Sequence, residues 1–217
     1  MSKDLWGHLA GTYDTDHTYV AGADLISAIQ AELADTVPAG NVVELGCGTG
    51  LYTSAYAPHC SQVIATDISE PMVELAKRAL AAFPIVSVRV ADAVSTGLPA
   101  GSADAVVAVN LLPIVPDAAA VLTEAHRLLR PGGVLIIAHT TGQGLPVGKI
   151  LTSIWRGLRR WGLKTHQKGQ RNLTQTSLET LVRAAGFTSI QDHLLTGKVM
   201  NAVFVRAITP VQQTHNG

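Results

Sequence analysis

A short apolar run, Val42-Val43-Glu44-Leu45, leads straight into Gly46-Cys47-Gly48-Thr49-Gly50. A strand that empties into a glycine-rich turn and then a helix brings backbone N–H groups against a ligand, as nucleotide-binding loops do. Two details set this loop apart from a dinucleotide loop. Leu51 stands where a GxGxxG pattern needs its third glycine, and an acid, Glu44, sits within the strand end. Further carboxylates close the next two apolar runs: Asp67 follows Val63-Ile64-Ala65-Thr66, and Asp92, itself followed by Ala93, comes after residues 85–90. The first of these can accept both hydroxyls of a ribose, and the second lies in plausible reach of an adenine amino group. Glu44, Asp67 and Asp92 beside Gly46, Gly48 and Gly50 would repel phosphates but suit a nucleoside that carries positive charge. S-adenosyl-L-methionine has that character, with a sulfonium and an ammonium against one carboxylate, and is the predicted cofactor. The alternative is a tight turn that binds nothing.

The elements that must hold these residues can be read from spacing. Leu25, Ile29, Leu33 and Val37 recur at helical intervals before the stop Pro38-Ala39-Gly40. Helix-like sequence follows the glycine loop to about Ala57. Ser69 is a good N-cap, and Glu70 and Pro71 suit the first turn of a helix that runs on from Met72. Residues 103–109 supply a fourth strand. Asp117 caps a helix whose Val121, Leu122, Ala125, Leu128 and Leu129 share a face, Pro131-Gly132-Gly133 ends it, and residues 134–138 form a fifth strand. Thr176-Ser177-Leu178-Glu179 has capping-box spacing and opens a helix that lasts to Gly186. Two last strands, near residues 188–194 and 202–208, read as a hairpin. Apolar strands alternating with helices predict an α/β fold, a doubly wound, mostly parallel sheet covered on both faces.

The motifs Val42 to Gly50, Asp67-Ile68-Ser69-Glu70-Pro71-Met72, Asp92-Ala93, Ala103-Asp104-Ala105-Val106 and Arg127-Leu128-Leu129-Arg130-Pro131-Gly132-Gly133 occur in order. In this the chain resembles the class I S-adenosylmethionine-dependent methyltransferases, particularly the small-molecule group that includes the quinone-biosynthesis type. The likeness covers about residues 41–139. It implies a Rossmann-like, seven-stranded sheet with a reversed last strand and a helical cap. It also implies that the glycine loop passes the methionine part of the cofactor, Asp67 holds the ribose, Ile68 and Met72 flank the adenine, and Asp92 binds its amino group. By the same resemblance Asn110 lies near the methyl group, and Tyr13-Asp14 belongs to an N-terminal segment that folds over the cofactor.

Methyl transfer is an in-line displacement whose electrophile the cofactor supplies, so the protein mainly aligns the nucleophile and excludes water. Catalytic candidates are His139, Asn110 and Tyr13. His139 follows the fifth strand at the edge where such sheets bind ligands and is the leading base, with a strand-end histidine bonded to backbone as its alternative. His17, Tyr19, Trp155 and Trp161 are the predicted acceptor pocket, because aromatics cluster near the N-terminus, Trp6 included, and in the segment after the fifth strand. In residues 147–163, Val147, Ile150, Ile154, Leu158 and Trp161 fall on one face of a helix and Lys149, Arg156 and Arg160 on the other; Lys164, Lys168 and Arg171 extend the basic run. Such a helix can cover the site, steer an acidic substrate or lie on an anionic membrane.

The 217 residues, 47% hydrophobic and 15% charged, exclude disorder and a collagen-like fibre and fit a single domain. Its predicted parts are an N-terminal cap and helix (1–38), a cofactor-binding core (41–139), a basic amphipathic insert (140–172), a C-terminal helix and hairpin (173–209) and a tail (210–217). The net charge of zero is a sum of opposite halves. Residues 1–124 hold 14 of the 16 acids and four fixed bases, a formal −10, and residues 125–217 hold twelve bases and two acids, a formal +10. Cys47 and Cys60 form no CxxC pair, so no metal site is predicted and a reduced, cytoplasmic setting is the default. Asn110-Leu111-Leu112-Pro113 departs from the Asn/Asp-Pro-Pro-Tyr/Phe pattern of enzymes that methylate nucleobase amino groups, which argues against a nucleic-acid substrate. The expected reaction is methyl transfer to a small, partly apolar acceptor, with oxygen favoured. A membrane-surface enzyme acting on a lipid or quinone headgroup is one alternative, and a non-catalytic S-adenosylmethionine-binding module another.

Overall fold

The computed structural model describes residues 11–165 and 173–211. Trp6, Lys168, Arg171 and the tail beyond Val211 lie outside them, as do the side chains of Arg160, Trp161 and Lys164. Chain order gives α1 (Tyr13–Ala21), α2 (Ala23–Thr36), β1 (Asn41–Leu45), α3 (Thr53–Tyr56), β2 (Gln62–Asp67), α4 (Glu70–Ala79), β3 (Val86–Val90) and β4 (Ala103–Val109). There follow α5 (Ala118–Leu128), β5 (Leu129–Thr141), α6 (Val147–Thr165), α7 (Gln175–Ala184), β6 (Thr188–Thr196) and β7 (Asn201–Ile208).

The seven strands form one sheet in the order β3-β2-β1-β4-β5-β7-β6. Neighbours from β3 to β5 run parallel, and β7 is antiparallel to both β5 and β6. Alternation along the strands feeds two cores. Val43, Leu45, Val106, Ala108, Leu135, Ile137, Val203 and Val205 pack under α5 and α7, whereas Val42, Val63, Val107, Ile136, Ala138 and Phe204 pack under α2 and α3. Leu25, Ile29 and Leu33, the predicted stripe of α2, are wholly buried. From β1 the chain builds outward through β2 and β3, then returns to lay β4 against the other side of β1. That reversal opens a crevice at the C-terminal ends of β1 and β4, the place where open α/β sheets take ligands.

Three local expectations are corrected. The capping box opens two residues earlier than Thr176: Thr174 Oγ1 accepts from Ser177 N–H, and Ser177 Oγ accepts from Thr174 N–H at 2.9 Å. Pro131-Gly132-Gly133 does not separate helix from strand, because β5 starts at Leu129 and absorbs the three residues in a register shift against β4. Ser69 sits at the N-cap of α4 without a side-chain cap bond; the Asp67 carboxylate takes the Ser69 N–H instead.

The long connection from β3 to β4 is held by one charged knot. Glu124 of α5 accepts from Thr96 N–H at 2.8 Å and from Arg127 Nε at 2.6 Å, while Arg127 Nη2 also reaches the Leu98 carbonyl. The Arg127 guanidinium holds the Glu124 carboxyl down to about 2 against the burial of its side chain. Glu124→Gln should therefore cost about 2 kcal/mol in urea denaturation at neutral pH. Because the folded carboxyl titrates below its ordinary range, that contribution is complete above the ordinary range and fades as pH falls toward 2. The gap between wild type and variant should close accordingly below about pH 4.

Candidate cofactor site and its cover

At the end of β1 the chain turns through three glycines with positive φ, which L-residues with a Cβ avoid. At Gly46 a Cβ would stand 2.7 Å from Leu111 Cδ1, and at Gly48 it would project into open space. The loop is pinned from β2: Cys47 N–H donates to the Thr66 carbonyl at 2.8 Å, and Gly48 N–H donates to Asp67 Oδ2 at 3.0 Å. The other oxygen of Asp67 accepts from Ser69 N–H at 2.9 Å. Burial raises the Asp67 carboxyl above its ordinary range, and the N–H groups of Ser69, Gly48 and Ile68 oppose that shift.

A cavity of about 440 Å³ opens beside this loop. Tyr13, Gly46, Gly48, Asp67, Ile68, Met72, Asp92, Ala93 and Asn110 all line it, so nine of the predicted cofactor residues meet in one space. The remaining wall is largely apolar, with Val94, Val109, Leu111, Ile114, Val115 and Pro116. A bonded carboxylate at the loop, an apolar slot between Ile68 and Met72, and space where a Gly48 side chain would intrude fit a nucleoside with a cationic tail.

Other predicted residues lie elsewhere. Glu44 turns its carboxylate away from the cavity, to the hydroxyls of Thr53 and Tyr56. Burial pushes it up to about 7, against the two hydroxyl bonds that pull it down. Gly50 faces α4, where a Cβ would meet Leu80 Cδ1 at 2.9 Å. His139 follows Leu135 and Ile137 on the sheet face covered by α5 and α7, and its Nε2 bonds the Leu173 carbonyl at 2.7 Å. With the proton on Nε2, burial holds the imidazole below its ordinary pKa, and Nδ1 has no partner. It is the strand-end histidine of the alternative reading, not a base in the cavity. Tyr19 and Trp155 lie outside the cavity too: Arg156 of α6 covers the Tyr19 ring at 5.2 Å, and Arg159 covers Trp155 at 5.1 Å.

Helix α1 closes the loop from above. Thr49 Oγ1 donates to Asp14 Oδ1 at 2.6 Å, tying the glycine loop to the first turn of the helix. His17 is buried beneath it, its ring parallel to that of Tyr13 with centroids 5.8 Å apart. Thr140 N–H donates to Asn110 Oδ1 at 2.8 Å, which fixes the amide and aims Asn110 Nδ2 at His17 Nε2, 3.5 Å away. Nε2 is therefore an acceptor and also takes the Tyr52 hydroxyl at 2.8 Å. Burial lowers His17 to about 4, against the pull of Asp14, so the ring is neutral at physiological pH. Burial, then Asp14 and Asp67, push the Tyr13 phenol up to about 12. Tyr52 escaped sequence reasoning, because an aromatic two residues past a glycine loop carries no signal until α1 is laid on it. Asn110 itself holds a φ of 55°. Among the described residues no group of histidine, cysteine and acidic side chains could hold a metal ion.

Residues 43–137 match the model of a family described as a methyltransferase domain. Over them the chain is similar to methyltransferases, and its fold is that of the class I S-adenosylmethionine-dependent methyltransferases. The Nocamycin O-methyltransferase of Saccharothrix syringae is 34% identical over 140 residues, covering 59% of this chain and 47% of that protein. The demethylmenaquinone methyltransferase of Clavibacter sepedonicus is 27% identical over 210 residues, 90% of this chain and 86% of its own length. Among solved structures, an S-adenosylmethionine-dependent methyltransferase of Thermotoga maritima shares the fold with a TM-score of 0.73 at 22% identity, over 96% of this chain and 100% of that one. The chain spans less than half the length of the first curated relatives it matches.

Its bonds to Thr53 and Tyr56 make Glu44 a structural acid. Its folded pKa of about 7 exceeds the ordinary value, so its contribution to stability is complete below the ordinary range and is lost as pH rises through 7. Glu44→Gln keeps an acceptor for both hydroxyls and cannot ionise. Its stability relative to wild type should climb between about pH 5 and pH 8 in urea denaturation.

Proposed function

We propose that this chain methylates a small, partly apolar acceptor at oxygen, and that the acceptor enters already ionised. The observation that carries the reading is the state of the groups at the Tyr13–Asn110 edge of the cavity. His17 Nε2 is shared by Asn110 and Tyr52, Tyr13 keeps its proton, and His139 lies outside the cavity, bonded to the Leu173 carbonyl. An acidic enol or phenol needs no base, whereas an aliphatic alcohol would.

S-adenosyl-L-methionine, when bound, would supply an electrophilic methyl group, which the ionised acceptor oxygen would take as the carbon–sulfur bond breaks and a neutral thioether leaves. Opposite charges vanish along the path, so an apolar, water-poor enclosure favours it. Leu111, Ile114 and Val115 supply such a wall. Tyr13, as a protonated phenol, would donate to the acceptor oxygen and orient it without removing a proton. Asp67 would hold the ribose, Ile68 and Met72 the adenine faces, and Asp92 the adenine amino group. The O-methyltransferase and the quinone methyltransferase among the relatives lend support, since both are named for small-molecule acceptors or methyl transfer to oxygen.

The test is a pH profile of kcat/KM for a series of phenols and enols with different pKa values. Its midpoint should follow the acceptor's own ionisation and stay in place in His17→Ala. A midpoint fixed near neutral pH for every acceptor would reveal a protein base and contradict the proposal.

A further inference from the structure

Helix α6, 19 residues and about 28 Å long, is seated in an unusual way. Surface helices ordinarily bury their apolar stripe. At about 100° per residue, Val147, Ile150, Leu151, Ile154, Trp155 and Leu158 fall within an arc of roughly 140°. In the structure Val147 is 74%, Leu151 62%, Trp155 54% and Ile154 41% exposed while Ile150 and Leu158 are half-buried, so most of the stripe points outward. The contact that holds α6 to α1 comes from the opposite side, where Arg156 donates to the Tyr19 carbonyl and covers its ring. The apolar face of α6 is thus left open by the way the helix is tethered.

The charge on α6 itself is of one sign. The α6 sequence contains Lys149, Arg156, Arg159, Arg160 and Lys164 and no acid, five of the twelve bases in the +10 half of the chain. Arg159 lies along the edge of the stripe, its guanidinium over the Trp155 ring. An indole with a cation beside it, set between aliphatic side chains and an otherwise basic polar face, suits the boundary between acyl chains and anionic headgroups. Among the described residues no helix is long and apolar enough to cross a membrane, so the contact is one of lying on the surface.

We propose that α6 docks the protein on an anionic lipid surface, with Val147, Leu151, Ile154 and Trp155 entering the interface and the arginines meeting the headgroups. Because α6 is bound to α1, and α1 closes the cofactor loop, docking sets the cover of the cavity against the lipid. The docking stands apart from the identity of the methyl acceptor and is tested without turnover.

The full chain is sedimented with sucrose-loaded vesicles of phosphatidylcholine alone and of phosphatidylcholine with about one third phosphatidylglycerol. Partition onto the anionic vesicles should exceed that onto the neutral ones by at least about tenfold and fall with added salt. The pair Leu151→Glu and Trp155→Glu, at positions too exposed to support the core, should leave the melting temperature in place and cut partition by at least about tenfold. Binding to neither vesicle, or a double variant that binds like wild type, would overturn the proposal. So would a dimer in sedimentation equilibrium that the double variant dissociates, since a second copy would then occupy the stripe.

Discussion

Asp67 is the constraint on which the site depends. A half-buried carboxylate at the end of β2 accepts N–H bonds from Gly48 on the neighbouring loop and from Ser69 at the start of α4. Those bonds join three elements at the reversal of the sheet. Without them Gly48 N–H would lose its acceptor, leaving the loop pinned only by Cys47 N–H on the Thr66 carbonyl and its own Gly50–Cys47 turn bond, and the N-cap Ser69 N–H of α4 would be left without a partner. The loop that borders the cavity is held by a side chain that itself lines the cavity.

The second requirement is a cover, and it is built from polar contacts. Asp14 fastens α1 to Thr49, and His17, Tyr52 and Asn110 meet beneath it. Tyr13 and His17 stay uncharged at neutral pH, so the cover places hydroxyl and amide edges at the Tyr13–Asn110 edge of the cavity and leaves the rest of the wall largely aliphatic. A reaction that annihilates charge benefits from that division between polar rim and apolar wall. The positive φ of Asn110 belongs here: it turns the residue from the end of β4 toward Thr140 and His17.

Much of this was legible in the order of residues. Apolar runs ending in Gly46, Asp67, Asp92 and Asn110 give the sheet and its ligand edge, because a parallel strand buried on both faces leaves only its ends for chemistry. What sequence could not resolve is the direction of a side chain once its position is known. Glu44 is next to the glycine loop in the chain but on the α3 side of the sheet, where Thr53 and Tyr56 claim it. His139 occupies the expected strand end on the covered face, since its parity follows that of Ile137. The amphipathic pattern of α6 was visible, yet spacing alone is silent on whether its apolar arc faces the protein or the surroundings; the tether from Arg156 to Tyr19 decides that.

Calorimetry with S-adenosylhomocysteine on wild type and Asp67→Asn tests the cofactor site most directly. Wild type should bind one equivalent, and the variant, which loses the charge and one of two acceptors while keeping its size, should bind more than about tenfold more weakly. Equal affinity for the two proteins, or no binding to wild type, would contradict the assignment of the cavity.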